Sequence, residues 1–431
     1  MSIFDKRILS NSVWMIVEKI VGIFGLIFVT SFVAKYIGPE NFGKLAFAGS
    51  LFAIIQTLAM FGSDNIIFQK TSKNPRLGIR LIEATKIIRD IVYFLASILL
   101  IIYLCIYVDT LTFIFSLASC IAIYFSLHGD TYSIYFNAIL QSKINTFCNI
   151  AALLVSLILR YLIVELELAI EWLSVPIILL TLIPYVLRKR IFNKRKAVLG
   201  QVNHRISTYR NYMLSVGKKM VLYTLSVAIF TKTSQLFLGM KSQHDLGIYT
   251  VAATLGTSYY FVLSALISSF MTRVYTEQDF DKNQNMVAQL NVVVIVISAA
   301  VWCFFELFGE WVVRTLYGVE FEQVNDILGI MVLACLFSGL STVAEKYLIK
   351  FNAYDFLQKK TNTLVVFNIV VTMVAVYFYG LYGAIFSILA TEVISTTLLN
   401  YFFVRQKKSI ILDTHKRIIL PATYLQRFRS E

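Results

Sequence analysis

Long apolar runs recur along this chain with only short polar breaks between them, and that pattern decides the class of fold. Runs of about twenty residues suit a helix crossing a bilayer. Twelve can be drawn, over 13–34, 45–67, 87–108, 111–134, 144–164, 172–187, 219–239, 247–271, 286–308, 327–349, 362–379 and 381–404. Strands of a membrane barrel would alternate in polarity over about ten residues. Segments such as IVYFLASILLIIYLCIYV do not alternate, so helices are expected. Composition agrees: 58% of the 431 residues are hydrophobic and only 15% charged, against about a quarter charged in soluble domains. The 34 Phe and 24 Tyr are too many for a solvated coil. The first run, in MSIFDKRILSNSVWMIVEKIVG, has no small-residue cleavage signal and is expected to be a retained span. The expected fold is an all-α polytopic membrane protein of about twelve transmembrane helices.

Charge orients the threading. With the amino terminus in the cytoplasm, the inner segments hold 32 Lys and Arg and the outer segments only five: Lys35, Lys44, Arg160, Lys241 and Arg314. Cytoplasmic loops of membrane proteins carry such an excess, so both termini are expected inside. The same asymmetry accounts for most of the net charge of +14, and a nucleic-acid partner is not needed to explain it. The longest inner connection, about 188–218, is rich in basic residues and has no acidic one. It divides the chain into residues 1–200, with six spans and the basic loop, and 201–431, with six spans and a basic tail. PENFGKLAFAGSL (39–51) can be laid over QHDLGIYTVAATL (243–255), matching Gly43 to Gly247, Ala48 to Ala252 and Leu51 to Leu255. Each window opens the second span of its half, which suggests parallel repeats.

Five cysteines cannot pair completely, and Cys105, Cys120, Cys148, Cys303 and Cys335 all lie in apolar stretches, where they are expected to be small buried hydrophobes. The four histidines are scattered, so no metal cluster is expected. No phosphate-binding glycine-rich loop or ATP-site motif is present, and no cofactor is expected.

Two segments resemble a known family. FVAKYIGPENFGKLAFAGSLFAIIQTLAMFGSDNIIFQKTSK is similar to the amino-terminal signature of Wzx-type polysaccharide flippases, where a first span ends in a Gly-Pro-x-x-Phe-Gly turn. ELFGEWVVRTLYGVEFEQVNDILGIM, with Leu316-Tyr317-Gly318 and Glu320-Phe321, resembles their carboxyl-half Leu-Tyr-Gly segment. The family belongs to a larger superfamily of multidrug exporters and lipid-linked-sugar flippases. The resemblance implies two six-helix lobes around a central cavity, working by alternating access in the bacterial inner membrane. It implies a substrate as well, an undecaprenyl-diphosphate-linked oligosaccharide of O-antigen type moved from the cytoplasmic to the periplasmic leaflet. A polysaccharide polymerase and a chain-length regulator are partners that such a role implies, beside membrane lipids.

The candidate site residues are charges that threading does not explain. An ionisable group deep in a bilayer costs several kcal/mol, so it should face a wet interior or a partner. Glu18 and Lys19 lie in the first span, Lys19 about 18 Å along the helix from Arg7. Lys232 lies in the seventh span, about 20 Å beyond Lys219, at the edge of a polar face with Thr224, Thr231 and Gln235. Glu392 sits near the middle of the last span. Lys19 and Lys232 are candidates to hold the diphosphate, Arg89 and Arg273 to admit it, and Glu18 and Glu392 to take up a coupling ion. The alternative is structural: Glu18 pairs with a basic neighbour, and Lys232 with Glu392 or another carboxylate. Arg160, within a turn of its span end, is expected to snorkel. Asp64, Asp90, Asp130, Glu345 and Lys346 read as interfacial, and Tyr259 and Tyr260 as core. The competing function is export of small molecules or drugs on the same fold. A membrane polysaccharide polymerase fits less well, since the largest outer loop, about 309–326, carries no catalytic constellation.

Overall fold

The computed structural model describes residues 6–199, 206–405 and 408–419. They form an all-helical chain, interrupted only by a small hairpin near the carboxyl end. Among the described residues, nine helical segments are long and apolar enough to cross a membrane. One of them, Tyr354–Leu399, is 46 residues long and turns back on itself, so it holds two crossings. The fold class is the expected one, a multi-pass helical membrane protein. The chain forms two compact units, Met1–Lys232 and Thr233–Glu431.

The first unit runs through α1 (Lys6–Met60), α2 (Ser63–Lys73), α3 (Pro75–Tyr107), α4 (Thr110–Ala138), α5 (Ser142–Glu165), a 3-10 turn at Ile170–Leu173, α6 (Ser174–Leu199) and most of α7 (Ile206–Lys241). α1 is two helices joined at Gly38, whose φ of 74° lies in the left-handed region open to glycine. Pro39 then starts the second arm with φ already set for a helix. The chain reverses there. Trp14 of the first arm meets the start of α5, where its carbonyl accepts a bond from Thr146. Gln56 of the second arm reaches the far end of α4. The Gly-Pro turn of the sequence is therefore the hairpin between the first two spans. The second span is itself broken: Phe61 and Gly62 both have positive φ, and α2 restarts in a new direction. Gly217 of α7 lies against this break, so close that a Cβ there would come within 2.3 Å of the Phe61 ring.

Local chemistry sets the other boundaries. Asn74 accepts bonds from the amides of Arg76 and Leu77 while Pro75 opens α3. Asp109 caps α4 through the Thr112 amide. The first unit's apolar cores gather Phe52, Tyr93, Leu104 and Leu127 in one cluster and Ile67, Leu81, Phe136 and Phe192 in another. The opposite faces are apolar too, as Leu99 (71% exposed) and Ile106 (70%) on α3 show. A helix apolar all round belongs in lipid or deep in a core.

The second unit contains the end of α7, then α8 (Gln243–Thr257), α9 (Tyr260–Thr276), α10 (Phe280–Leu316), a 3-10 turn at Val319–Phe321, α11 (Val324–Lys350), α12 (Tyr354–Ile394), a π-helical turn at Ser395–Leu399, the short strands β1 (Val404–Arg405) and β2 (Lys408–Ser409), and α13 (Ile410–Ile419). α12 reverses at Gly380, which has φ 55° and ψ −124°. α8 and α9 together occupy the eighth span, broken at Ser258 and Tyr259. Tyr259 donates to the Val332 carbonyl at 3.0 Å and sits in the core with Leu263, Ile267 and Val294. Each of the paired repeat windows begins a helical arm, at Pro39 and at Gln243, and Ala48 and Ala252 are both 0% exposed.

α13 is docked by polar contacts. Arg417 pairs with Asp281 of α10 at 2.5 Å and with Asp413 at 3.1 Å, and Thr414 bonds Gln284. His415 makes a 2.9 Å hydrogen bond with the Tyr401 hydroxyl, and burial holds its imidazole below the ordinary range. A depressed folded-state value favours docking above the unfolded value of about 6.5, and this contribution is lost as pH falls through the folded value. Protection factors across α13, taken against the slower intrinsic exchange at lower pH, should therefore fall when pH is lowered from about 7.5 to about 5. Unchanged protection would show that His415 does not report on docking.

Candidate functional site

The break at Phe61–Gly62 has a cavity on one side and a buried cation on the other. The cavity, about 380 Å³, is lined by Gln56, Thr57 and Met60 of α1, Gly62, Asp64 of α2, Asp130, Ser133 and Ile134 of α4, and Thr224 of α7. The break makes this lining possible. A continuous helix would carry Asp64 around the axis of the second span, whereas the left-handed pair lets α2 restart with Asp64 in its first turn. An acidic side chain is favoured at that end of a helix by the exposed amides. Across the cavity, Asp130 accepts bonds from Gln56 Nε2 (2.8 Å) and Ser126 Oγ (3.0 Å), and Gln56 Nε2 also reaches Ser126 Oγ (3.1 Å). Gln56 thus ties α1 to α4.

On the other side, Met60, Phe61, Ser63, Thr85, Arg89 and Met213 enclose a much smaller space of about 10 Å³. Arg89 is 2% exposed. Its guanidinium donates to Thr85 Oγ1 at 2.7 Å and to the Ile82 carbonyl at 3.0 Å, both on its own helix, while Nε has no partner among the described residues. Asp64 and Asp90 are neighbouring carboxylates, but neither forms an ion pair with it. Asp90 instead contacts His128 at 2.7 Å. Arg89 is therefore a desolvated cation held by neutral oxygens, an arrangement that costs stability unless something else uses the charge.

The second unit holds a separate polar cluster. Glu392, one turn before the π-helical segment, has the Ser338 hydroxyl on its carboxylate and Glu345 and Lys360 as charged neighbours. Lys360 is 4% exposed, pairs with Glu345 at 3.1 Å and approaches Ser341 Oγ at 3.4 Å. Ser341 in turn meets Ser395 at 2.9 Å. Single π turns recur at functional positions in helices.

The predicted residues are distributed as follows. Arg89 lies beside the break in the first unit, deeper in protein than an interfacial residue would be. Lys232, half-buried, is the last residue of that unit. Arg273 is exposed on the last turn of α9, and Glu392 belongs to the second unit's cluster. Glu18 and Lys19 fall within α1, and their side chains lie outside the described residues. Arg160 does not snorkel: it is only 9% exposed, because its face of α5 is covered by protein. Asp64, Asp130 and Glu345, expected at the interface, take part in these clusters, Asp64 and Glu345 with side chains still partly exposed, and Lys360 is buried beside Glu345. Gln56 is not among the residues the sequence picks out. A signal exists for one pair only: Ser126 and Asp130 are one helical turn apart in an otherwise apolar run, whereas the break at Phe61–Gly62 removes any shared helical face from Gln56 and Asp64. Among the described residues no group of three or more His, Cys, Asp and Glu could hold a metal ion.

A family model described as "Polysaccharide biosynthesis protein" matches residues 32–326. No curated protein sequence matches the chain. Among solved structures, the inward closed lipid II flippase MurJ superposes with a TM-score of 0.72 at 12% identity, over 98% of this chain and 93% of that one. An inward-facing multidrug resistance MATE transporter of the MOP superfamily gives 0.65 at 12% identity, covering 96% and 99%. A MOP superfamily transporter from Pyrococcus furiosus gives 0.55 at 13%, covering 96% of each. At such identities the likeness is one of fold.

Proposed function

Since the chain belongs to the polysaccharide biosynthesis protein family and has a transporter fold, we propose that it is a flippase for lipid-linked oligosaccharides. The cargo in this reading is an O-antigen-type repeat unit on undecaprenyl diphosphate, moved from the cytoplasmic to the periplasmic leaflet of the inner membrane. The observation that carries the reading is the family match, which covers most of the first unit with its polar cavity and part of the second. Buried Arg89 supports it, as a fixed cation for a diphosphate that must leave water. Lys19, Lys232 and Arg273 are further candidates for that charge. Glu18 and Glu392 are candidates for ion coupling, Glu392 because protonation there would change its balance with Lys360 and Glu345. The basic loops face the cytoplasm in this account, as the positive-inside rule requires. A polymerase and a chain-length regulator would act on the delivered units.

Deleting the gene should abolish surface polysaccharide and trap lipid-linked repeat units in the inner leaflet. Normal surface polymer in the deletion strain would refute the assignment. One observation favours a second reading, export of small organic cations on the same fold: the cavity bears two carboxylates, Asp64 and Asp130.

A further inference from the structure

The polar groups of the first unit's cavity are arranged to accept hydrogen bonds. The Gln56 amide spends its nitrogen on Asp130 and Ser126, which leaves Oε1 as its open end. The Thr57 hydroxyl donates to the Ala53 carbonyl at 3.1 Å, and that of Thr224 to the Val221 carbonyl at 3.1 Å. Asp64 and Asp130, when ionised, can only accept. Ser133 adds a hydroxyl that can serve either way. A ligand that fits must bring donors.

From this lining we infer that the cavity is a sugar subsite, which takes hydroxyl groups of the saccharide and keeps its phosphates out. Phosphate oxygens are acceptors and would meet two carboxylates at close quarters. A bare cation is a poor fit, since hard cations need six or more oxygens gathered at about 2.0–2.6 Å. Here a space of about 380 Å³ separates acceptors carried on four helices. That volume falls within the ~300–1,000 Å³ of ordinary small-molecule sites. Met60 and Ile134 supply the apolar wall that the C–H face of a pyranose ring packs on, and Gly62 leaves room for it. Met60 also borders the small space that holds Arg89. The acceptors and the cation therefore lie on opposite sides of one helix break, in the order of a saccharide and its diphosphate. The inference rests on the reading of the protein as a saccharide carrier.

The test uses the purified full chain in nanodiscs and probes of known chemistry: glucose, galactose, N-acetylglucosamine, pyrophosphate, sodium and tetraphenylphosphonium. Saturation-transfer NMR should show contact with at least one of the sugars. The D64N/D130N variant should weaken that contact at least tenfold and admit pyrophosphate, which the wild-type cavity rejects. Circular dichroism and thermal melting of the variant report whether it is folded. If it is not, Q56L, which removes the amide and keeps both charges, should weaken the sugar contact by the same measure. Stabilisation by sodium alone, or tetraphenylphosphonium bound at Asp64 and Asp130 with no sugar contact, would overturn the inference. So would undiminished transport of a lipid-linked saccharide by folded D64N/D130N, an outcome that leaves the flippase reading standing. Absence of any such transport by the wild type would instead overturn that reading and this inference with it.

Discussion

Replacing Arg89 with methionine should give a chain that inserts and melts no lower than the wild type but no longer moves lipid-linked saccharide. Arg89 is 2% exposed, has no ion-pair partner among the described residues, and leaves Nε without an acceptor. Its two hydrogen bonds go to neutral oxygens of α3 itself, so no second element depends on it for attachment. A buried charge without an ion-pair partner costs stability, so an apolar side chain of similar volume should not lower it. If the charge serves only structure, nothing should be lost. If it receives the diphosphate, removing it costs about 2–5 kcal/mol of a desolvated charge contact, and transport should fall roughly thirtyfold or more. Flipping by reconstituted protein, read beside the melting curve, separates the two. Wild-type flipping by Arg89→Met would remove Arg89 from the site.

Gly383→Ala should be the most damaging small substitution in the second unit. α12 folds back at Gly380, and the returning arm brings Gly383 against the outgoing arm. A Cβ at position 383 would lie 2.0 Å from the Ala375 carbonyl oxygen and 2.3 Å from its carbon. Those are backbone atoms and cannot rotate away. The arms would have to separate, breaking the buried pairs between them, Thr372 with Ser387 (3.0 Å) and Asn368 with Thr391 (3.2 Å). A loss of more than about 4 kcal/mol is expected, enough to prevent accumulation of folded protein in most cases. Size-exclusion profiles of detergent extracts would show it. A monodisperse, normally melting Gly383→Ala protein would mean that the arms do not approach in this way.

How far the sequence discloses these features depends on whether they are local. Gly38-Pro39 forces its turn through its own torsions, and Asn74-Pro75 starts α3 with its own side chain, so both are visible in the string. Ala48 and Ala252 can be paired from the string alone, and both are buried. Asp64 and Asp130 are different: they face one cavity only because α1 breaks at Phe61 and packs against α4, which no periodicity reveals. Nothing in the string separates Lys360 from its neighbour Lys359, yet Lys360 is buried against Glu345 and Ser341 because α12 packs on α11. Arg160 is covered for a similar reason, since the face of α5 that meets α6 is not marked in composition. Two of the cations expected on the outer side prove to be structural. Lys44 pairs with Glu40 and Asp109, both at 3.2 Å. Lys241 donates to the carbonyls of Val376 and Tyr377 at 2.8 Å, closing the end of the outgoing arm of α12.

The central claim is that this chain moves a saccharide on a polyprenyl diphosphate across a bilayer. Purified protein in liposomes carrying a fluorescent polyprenyl-diphosphate oligosaccharide tests it, with a membrane-impermeant quencher or lectin reporting the exposed leaflet. The account predicts that the labelled lipid reaches the opposite leaflet far faster than in protein-free liposomes, and that Arg89→Met abolishes the difference. Protein-free rates for the saccharide, with the same vesicles moving tetraphenylphosphonium, would contradict it and establish export of organic cations instead.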